Sequence, residues 1–392
     1  MYPERFSNLP AYAFPRLRAL LDVHEAGGEV MHMTIGEPKH AFPAWVQDVL
    51  VQNISGFNSY PANDGTDRLR ASISSWIDRR YGVKTDPDKN IMALNGTREG
   101  LYNAAMALCP EMLNGKTPII LMPNPFYQVY MIASLSVSAE PHYVAATPDN
   151  GFLPDYSQLS PEILDRTAIA YICSPANPQG AVASRAYWTS LIALAEKHDF
   201  KIFADECYSE IYRKDPPVGA LEVANDMGAD PERVVIFHSL SKRSNLPGLR
   251  SGFVASGPEN IKHIKQLRAY SGAPLPTPLQ EVAAAVWDDE EHVVENRSLY
   301  KEKFDIADDI FADVAGYQSP EAGFFLWLDA TDGEAAALKL WKETGVRVLP
   351  GKYLSKETET GNPGAQYIRV ALVAPKEQMA RGLLRLRDCL YT

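Results

Sequence analysis

The stretch Ser239-Leu-Ser-Lys-Arg-Ser-Asn-Leu-Pro-Gly-Leu-Arg-Ser-Gly252 gathers hydroxyls, a lysine and an arginine in one turn. It follows the apolar run Val234-Val-Ile-Phe237, so it reads as the loop leaving a buried strand. Ser239, Ser241 and Arg250 can donate hydrogen bonds to a phosphate. Lys242 can condense with a carbonyl if its surroundings lower its pKa. A polar turn carrying a solvated lysine accounts for this stretch equally well when it is taken alone.

A cofactor with an aldehyde, a phosphate arm and a pyridine ring would call on further residues. Asp205 ends a strand-like run and would face the pyridine nitrogen, keeping it protonated so that the ring accepts electrons. A turn or N-cap aspartate is the alternative. Tyr208, and Asn177 in a Pro-x-Asn-Pro turn, could bond the phenolic oxygen of the ring, although Asn before Pro also serves turns. Tyr127 could stack on the ring or be a loop aromatic. Gly96, Thr97 and Arg98 precede a helical stretch, where free N–H groups can hold an anion. Arg369 sits inside an apolar run and needs an anion, either a substrate α-carboxylate or a structural partner. Of the eight histidines only His238 lies near this centre, and it reads as packing. No zinc motif, GxSxG elbow, Walker loop or GxGxxG turn occurs, so no metal is expected.

The elements that must position these residues follow from the pattern of the chain. Short apolar runs at 118–122, 168–173, 200–204, 233–237 and 252–255 alternate with amphipathic stretches such as 98–108 and 185–198. That alternation predicts an α/β domain with a mostly parallel sheet. Each run is followed at once by polar or small residues: Asn124-Pro-Phe-Tyr, Ser174-Pro-Ala-Asn-Pro, Asp205-Glu-Cys-Tyr and His238-Ser-Leu-Ser-Lys. Ligands of open α/β sheets bind outside the carboxyl ends of strands, so four separate loops converge on one edge. From about Pro278 the character changes: a long helical pattern runs through Tyr300, followed by strands near 323–328 and 367–372 and a closing helix. This predicts a large domain over 45–280. A smaller α+β domain is expected from 1–44 and 281–392.

With 392 residues the chain exceeds one ordinary core. A formal charge of −11 disfavours nucleic acid and anionic membrane as partners. Cys109, Cys173, Cys207 and Cys389 are far apart with no CxxC pair, which argues against zinc sites and disulfides and fits a reducing cytoplasm. No signal pattern opens the sequence, and no apolar run of about 18 residues exists to span a bilayer.

Together these residues resemble the fold type I pyridoxal-phosphate enzymes of the class I/II aminotransferase group. The resemblance runs from Ile35-Gly-Glu-Pro through Tyr60-Pro-Ala-Asn-Asp-Gly, Asn95-Gly-Thr-Arg-Glu, Pro175-Ala-Asn-Pro-Gln-Gly, Asp205-Glu-Cys-Tyr and Ser239-Leu-Ser-Lys to Ile368-Arg-Val. It implies a large domain built on a mostly parallel sheet of the seven-stranded type. It implies pyridoxal 5'-phosphate as cofactor, with Lys242 as the Schiff-base lysine and Asp205 as the ring-nitrogen partner. Asn177 and Tyr208 look like the phenolic-oxygen partners and Tyr127 like the stacking ring. Thr97, Ser239, Ser241 and Arg250 look like phosphate ligands, and Arg369, with Gly36 beside it, like the α-carboxylate anchor. Tyr60 looks like the residue that reaches the phosphate of a partner subunit, which implies a homodimer with shared sites. One departure is Pro-Ala-Asn-Pro-Gln-Gly, where the group more often has Thr before the last Gly; it touches the shape of that loop only.

A narrower likeness is to bacterial succinyldiaminopimelate aminotransferases, carried by Pro123-Asn-Pro-Phe-Tyr-Gln-Val-Tyr, Ser241-Lys-Arg-Ser-Asn-Leu-Pro-Gly-Leu-Arg-Ser-Gly and Val348-Leu-Pro-Gly-Lys among others. It implies amino transfer from glutamate to N-succinyl-2-amino-6-oxopimelate. Both substrates carry a distal carboxylate, so a second cation is required, with Arg98, Arg243 and Lys39 as candidates. An aspartate or alanine aminotransferase is the runner-up, and a β-lyase or decarboxylase would use the same cofactor residues. The sensing domain of a transcription regulator fits poorly, because the first 40 residues are too few for a DNA-binding module and the chain is acidic.

Overall fold

The protein is described by a computed structural model, which covers residues 3–7 and 9–392. After a short β1 (Met31–His32), seven strands build one sheet: β2 (Ile91–Leu94), β3 (Ile119–Asn124), β4 (Glu140–Ala145), β5 (Thr167–Cys173), β6 (Lys201–Asp205), β7 (Val234–Ser239) and β8 (Gly252–Ala255). Their spatial order is β2-β8-β7-β6-β5-β3-β4. β3 to β7 run parallel, and β8 runs antiparallel to both of its neighbours. All seven residues of β5 are buried, as a strand covered on both faces by helices requires. β4 lies at the edge and is mostly half-buried, and its mixed run Glu-Pro-His-Tyr-Val-Ala gives too weak an apolar signal to be picked out from sequence.

The expected helices appear at Thr97–Leu108 and Arg185–His198. The second starts at Ser184, whose hydroxyl accepts the N–H of Tyr187 and satisfies one of the free donors of the first turn.

A second, three-stranded sheet joins β9 (Phe325–Asp329), β11 (Leu349–Pro350) and β12 (Tyr367–Ala371), with β12 in the middle and antiparallel to both. Between them β10 (Val346–Arg347) pairs in parallel with β1, so the two ends of the chain are joined by backbone hydrogen bonds. Met31, Phe324, Leu340, Ile368 and Leu383 share one apolar cluster there.

The helical pattern from 278 to 300 is not one helix. It breaks between Thr277–Asp288 and Glu291–Phe311, where Asp289 Oδ2 accepts the N–H of His292 at 3.1 Å and starts the second helix. Val282, Ala283, Val286 and Trp287 of the first helix belong to the core of the seven-stranded sheet, with Trp287 4.8 Å from Trp76. That helix therefore packs with the large unit, past the boundary of 280 expected from sequence. No helix among the described residues is long and apolar enough to cross a membrane.

Candidate active site

The carboxyl ends of the parallel strands meet as expected. Asp205 closes β6 and lies in register with Cys173 on β5 and Phe237 on β7. Over this edge lie two adjoining cavities of about 250 and 320 Å³. The first is lined by Gly36, Asn177, Asp205, Tyr208 and Arg369, and the second by Ser239, Ser241 and Arg250. Thr97, Arg98, Tyr127, Cys207 and Lys242 line both. Residues far apart in sequence therefore surround one two-lobed space. Two of the expected residues line neither lobe: Gly96 and Tyr60.

Lys242 stands where the lobes join, on the short helical turn Leu240–Arg243 that follows β7. Its Nζ donates to the carbonyl of Gly36 at 2.5 Å and lies 5.3 Å from the ring centre of Phe324. Burial, reinforced by the charge of Arg369, pulls the amine down to about 8, although Cys207 and Glu37 oppose the shift. A substantial fraction of the amine is thus neutral and nucleophilic near physiological pH. Gly36 must be glycine: a Cβ there would lie 2.3 Å from Cζ of Phe325.

Asp205 is buried, and its two oxygens differ. Oδ2 accepts from the Tyr130 hydroxyl at 2.8 Å, whereas Oδ1 has no hydrogen-bond partner among the described residues. Burial raises the pKa of the carboxyl, and hydrogen bonding from Tyr130 acts the other way. A buried carboxylate oxygen without a donor is costly unless a ligand supplies one.

Arg369 lies on β12 and is buried. Nη1 donates to Asn177 Oδ1 at 3.0 Å, Nη2 to the carbonyl of Thr34 at 2.7 Å, and Nε is unpartnered. The guanidinium lies 4.2 Å from the ring centre of Phe325. No carboxylate pairs with it among the described residues. Burial holds it down to about 10, still cationic at neutral pH. This favours the anion-binding reading of the sequence over the structural ion pair.

The second lobe has the features of a phosphate site. Ser239 donates to the Ser241 hydroxyl at 2.9 Å and accepts the Ser241 N–H at 3.1 Å, which fixes both hydroxyls. Gly96, at φ 84°, opens the helix Thr97–Leu108, whose first N–H groups have no intrahelical acceptor. Gly96 acts from behind: a Cβ would lie 2.3 Å from Nη2 of Arg250, so only glycine lets that guanidinium take its place. Arg250 is itself oriented by the carbonyls of Pro247 and Asn95.

The candidates for a second cation separate cleanly. Arg243 is fully enclosed, donating to Glu290 at 2.8 Å and to the Val286 carbonyl at 2.8 Å beside the Trp287 ring, and lines neither lobe. Lys39 pairs with Glu37 at 2.6 Å in solvent and is also outside. Arg98 lines both lobes, its Nε donating to the Tyr127 hydroxyl at 2.8 Å. His238 packs between Phe253 and Trp76, as the sequence indicated. Sequence reasoning passed over Tyr12, Phe14 and Gln128 on the cavity wall, Cys207 between the lobes with Sγ 3.0 Å from Thr97 Oγ1, and Tyr130 behind Asp205. Tyr127-Gln-Val-Tyr130 was a visible motif, and the spacing of three in a helical start places Tyr130 on the inner face of that turn.

The residues present therefore fit pyridoxal phosphate. An unpartnered Asp205 oxygen matches a protonated ring nitrogen, a lysine of lowered pKa matches the aldehyde, and a glycine-opened helix with Ser239, Ser241 and Arg250 matches the phosphate. Comparison with known proteins agrees. A crystal structure of an aminotransferase from Neisseria meningitidis superposes with a TM-score of 0.94 at 37% identity, over 99% of this chain and all of that one. An aminotransferase structure from Helicobacter pylori gives 0.90 at 32% identity, over 98% and 99% of the two chains. The LL-diaminopimelate aminotransferase of Dehalococcoides mccartyi is 30% identical over 98% of both chains. Residues 28–386 match the model of the aminotransferase class I and II family. The chain belongs to that family of pyridoxal-phosphate-dependent transaminases.

Proposed function

We propose that this transaminase exchanges an amino group between glutamate and a keto acid with a distal carboxylate, N-succinyl-2-amino-6-oxopimelate above all. The observation that carries this is the pair of cations on one cavity, Arg369 on the inner wall and Arg98 on both lobes. A second reading, with LL-diaminopimelate itself as the amino donor, is favoured by the name of the relative from Dehalococcoides mccartyi.

When bound, pyridoxal phosphate supplies an aldehyde that captures amines and a protonated ring that accepts electrons from the substrate carbon. Arg369 binds the α-carboxylate and orients the substrate. Lys242 Nζ takes the proton from the substrate Cα and returns it during the transfer. Asp205 Oδ1 holds the proton on the ring nitrogen. Asn177 and Tyr208 would donate to the phenolic oxygen of the cofactor, and Tyr127 would hold its ring. Thr97, Ser239, Ser241, Arg250 and the helix N-terminus hold the phosphate, and Arg98 meets the distal carboxylate.

The proposed assembly is a homodimer with shared sites. Tyr60 is fully exposed, and Val51, Ile54 and Phe57 of the same segment are exposed apolar residues, which suits a surface covered by a second copy. The proposed organisation has a large unit from about 45 to 288 and a small unit from the two ends. Four free cysteines fit a reducing cytoplasm.

The test is a panel of keto acids with glutamate as donor, run beside LL-diaminopimelate with 2-oxoglutarate. Highest kcat/KM on the succinylated oxopimelate supports the first reading, and highest on LL-diaminopimelate supports the second. Equal or better turnover of oxaloacetate or pyruvate overturns both.

A further inference from the structure

We propose that Tyr130 is a positioning residue that fixes which oxygen of Asp205 faces the cofactor and keeps that carboxyl ionised. The inference rests on the proposed role of Asp205. It gives a role to Tyr130, which the sequence motifs contained but to which the sequence reading assigned none.

A carboxylate has two equivalent oxygens and turns freely about its last torsion, which is broad and two-fold. Here the equivalence is broken. Tyr130 Oη donates to Oδ2 at 2.8 Å, and Oδ1 alone is left to accept from a ligand. The hydroxyl that does this is itself held. Tyr130 is fully buried, and its ring stacks on Tyr171 at 4.3 Å with 12° between planes. The Tyr171 hydroxyl is anchored on the carbonyl of Leu101 at 2.8 Å. Tyr127, on the cavity wall, meets the edge of Tyr130 at 5.8 Å and 89°. One buried ring therefore braces both the acid beneath the cofactor ring and the aromatic beside it.

The charge argument runs the same way. Burial disfavours the ionised form of Asp205, and a hydrogen bond donated to the carboxylate restores it. Burial also pushes the Tyr130 phenol well above its ordinary value, so it remains a protonated donor throughout the working pH range. The other groups facing the carboxyl are Cys207, two residues on along the chain, whose thiol and backbone N–H also lower its pKa alongside Tyr130, Cys173 across the sheet and the imidazole of His238. None of them donates to Oδ1 in this structure.

Removing the hydroxyl leaves a buried carboxylate short of one charge-assisted hydrogen bond, and its pKa rises. Cofactor binding that needs the ionised carboxyl is then lost at a higher pH as the solution is acidified. The experiment is titration of apoprotein with pyridoxal phosphate, followed by visible absorbance, across a pH series. Tyr130→Phe is expected to weaken binding about tenfold near pH 7 and to move the acid limb of the profile up by about one pH unit. Its kcat falls while KM for glutamate stays within about twofold. Incorporating 3-fluorotyrosine at position 130, a stronger donor of nearly the same shape, moves the limb the other way and covers the case in which the Phe variant folds poorly. Tyr171→Phe removes the neighbouring anchor alone and is the packing control; a limb displaced as far as in Tyr130→Phe would assign the effect to packing and overturn the inference. So would a limb unmoved in both position-130 proteins. A wild-type protein that binds no pyridoxal phosphate overturns the reading of Asp205 beneath it, which separates the two failures.

Discussion

Nη1 of Arg369 donates to Oδ1 of Asn177 at 3.0 Å, so a cation from β12 and an amide from the loop after β5 form one unit across the cavity. Arg369 belongs to the three-stranded sheet and Asn177 to the loop edge of the seven-stranded one. A substrate carboxylate held by Arg369, as proposed, would thereby be registered against whatever Asn177 contacts.

Arg369→Lys should cost about 10²-fold in kcat/KM for glutamate. Lysine keeps the charge but loses the planar fork that serves Asn177, Thr34 and a carboxylate together. The loss should fall mainly on KM. Half-reactions with an amine that lacks the α-carboxylate should be affected much less, and equal losses on both would show that Arg369 acts elsewhere.

Much of this site was legible in the sequence because it sits where strands end. Asp205, Ser239 and Lys242 follow runs so apolar that the strands announce themselves, and the loops after them carry the chemistry. The close approach of Gly96 to Arg250 was not legible, since it depends on a turn 154 positions later that no local pattern encodes. Arg243 misled because it neighbours Lys242. In the helical turn Leu240–Arg243 the next side chain points roughly 100° away, into the core beside Trp287, where Glu290 neutralises it. The helix Thr277–Asp288 is amphipathic in either unit, and its packing on the large sheet, through Val282, Ala283, Val286 and the contact of Trp287 with Trp76, is not encoded in any local pattern.

Lys242→Ala should abolish amino transfer, leave cofactor binding reversible and give no borohydride-fixed adduct. The wild-type amine sits at about 8, below the ordinary lysine value. Its neutral, reactive form therefore grows as pH rises through about 8 and falls below it. Rates of reconstitution from apoprotein should level off above that pH, and a profile still climbing toward 10.5 would show an unperturbed lysine.

Gly96→Ala should weaken pyridoxal phosphate binding by about one to two orders of magnitude while changing affinity for pyridoxal little. The added methyl occupies the place of the Arg250 guanidinium, and φ 84° is a region that alanine enters only with strain. Calorimetric titration with the two vitamers reads the difference. A matching loss for pyridoxal would mean that the damage is to the fold and not to the phosphate lobe.

Lys303 is an opposite case, a buried amine with no part in the site. It is 3% exposed, donates to the carbonyl of Val373 at 3.2 Å, and has no carboxylate partner among the described residues. Burial pulls it down to about 8. Between about 8 and 10.5 the unfolded chain binds a proton there that the folded chain does not, so this lysine makes stability rise with pH across that window. At pH 7 the folded protein carries a buried charge at a cost that the single hydrogen bond to Val373 does not fully offset. Lys303→Met fills the same volume without the charge and should stabilise the holoenzyme by roughly 1 kcal/mol at pH 7, raising Tm by a few degrees. The gain should shrink toward pH 10, where the native amine is already neutral. A gain independent of pH would trace the effect to packing, and a loss at pH 7 would show that the amine has a partner that stabilises its charge.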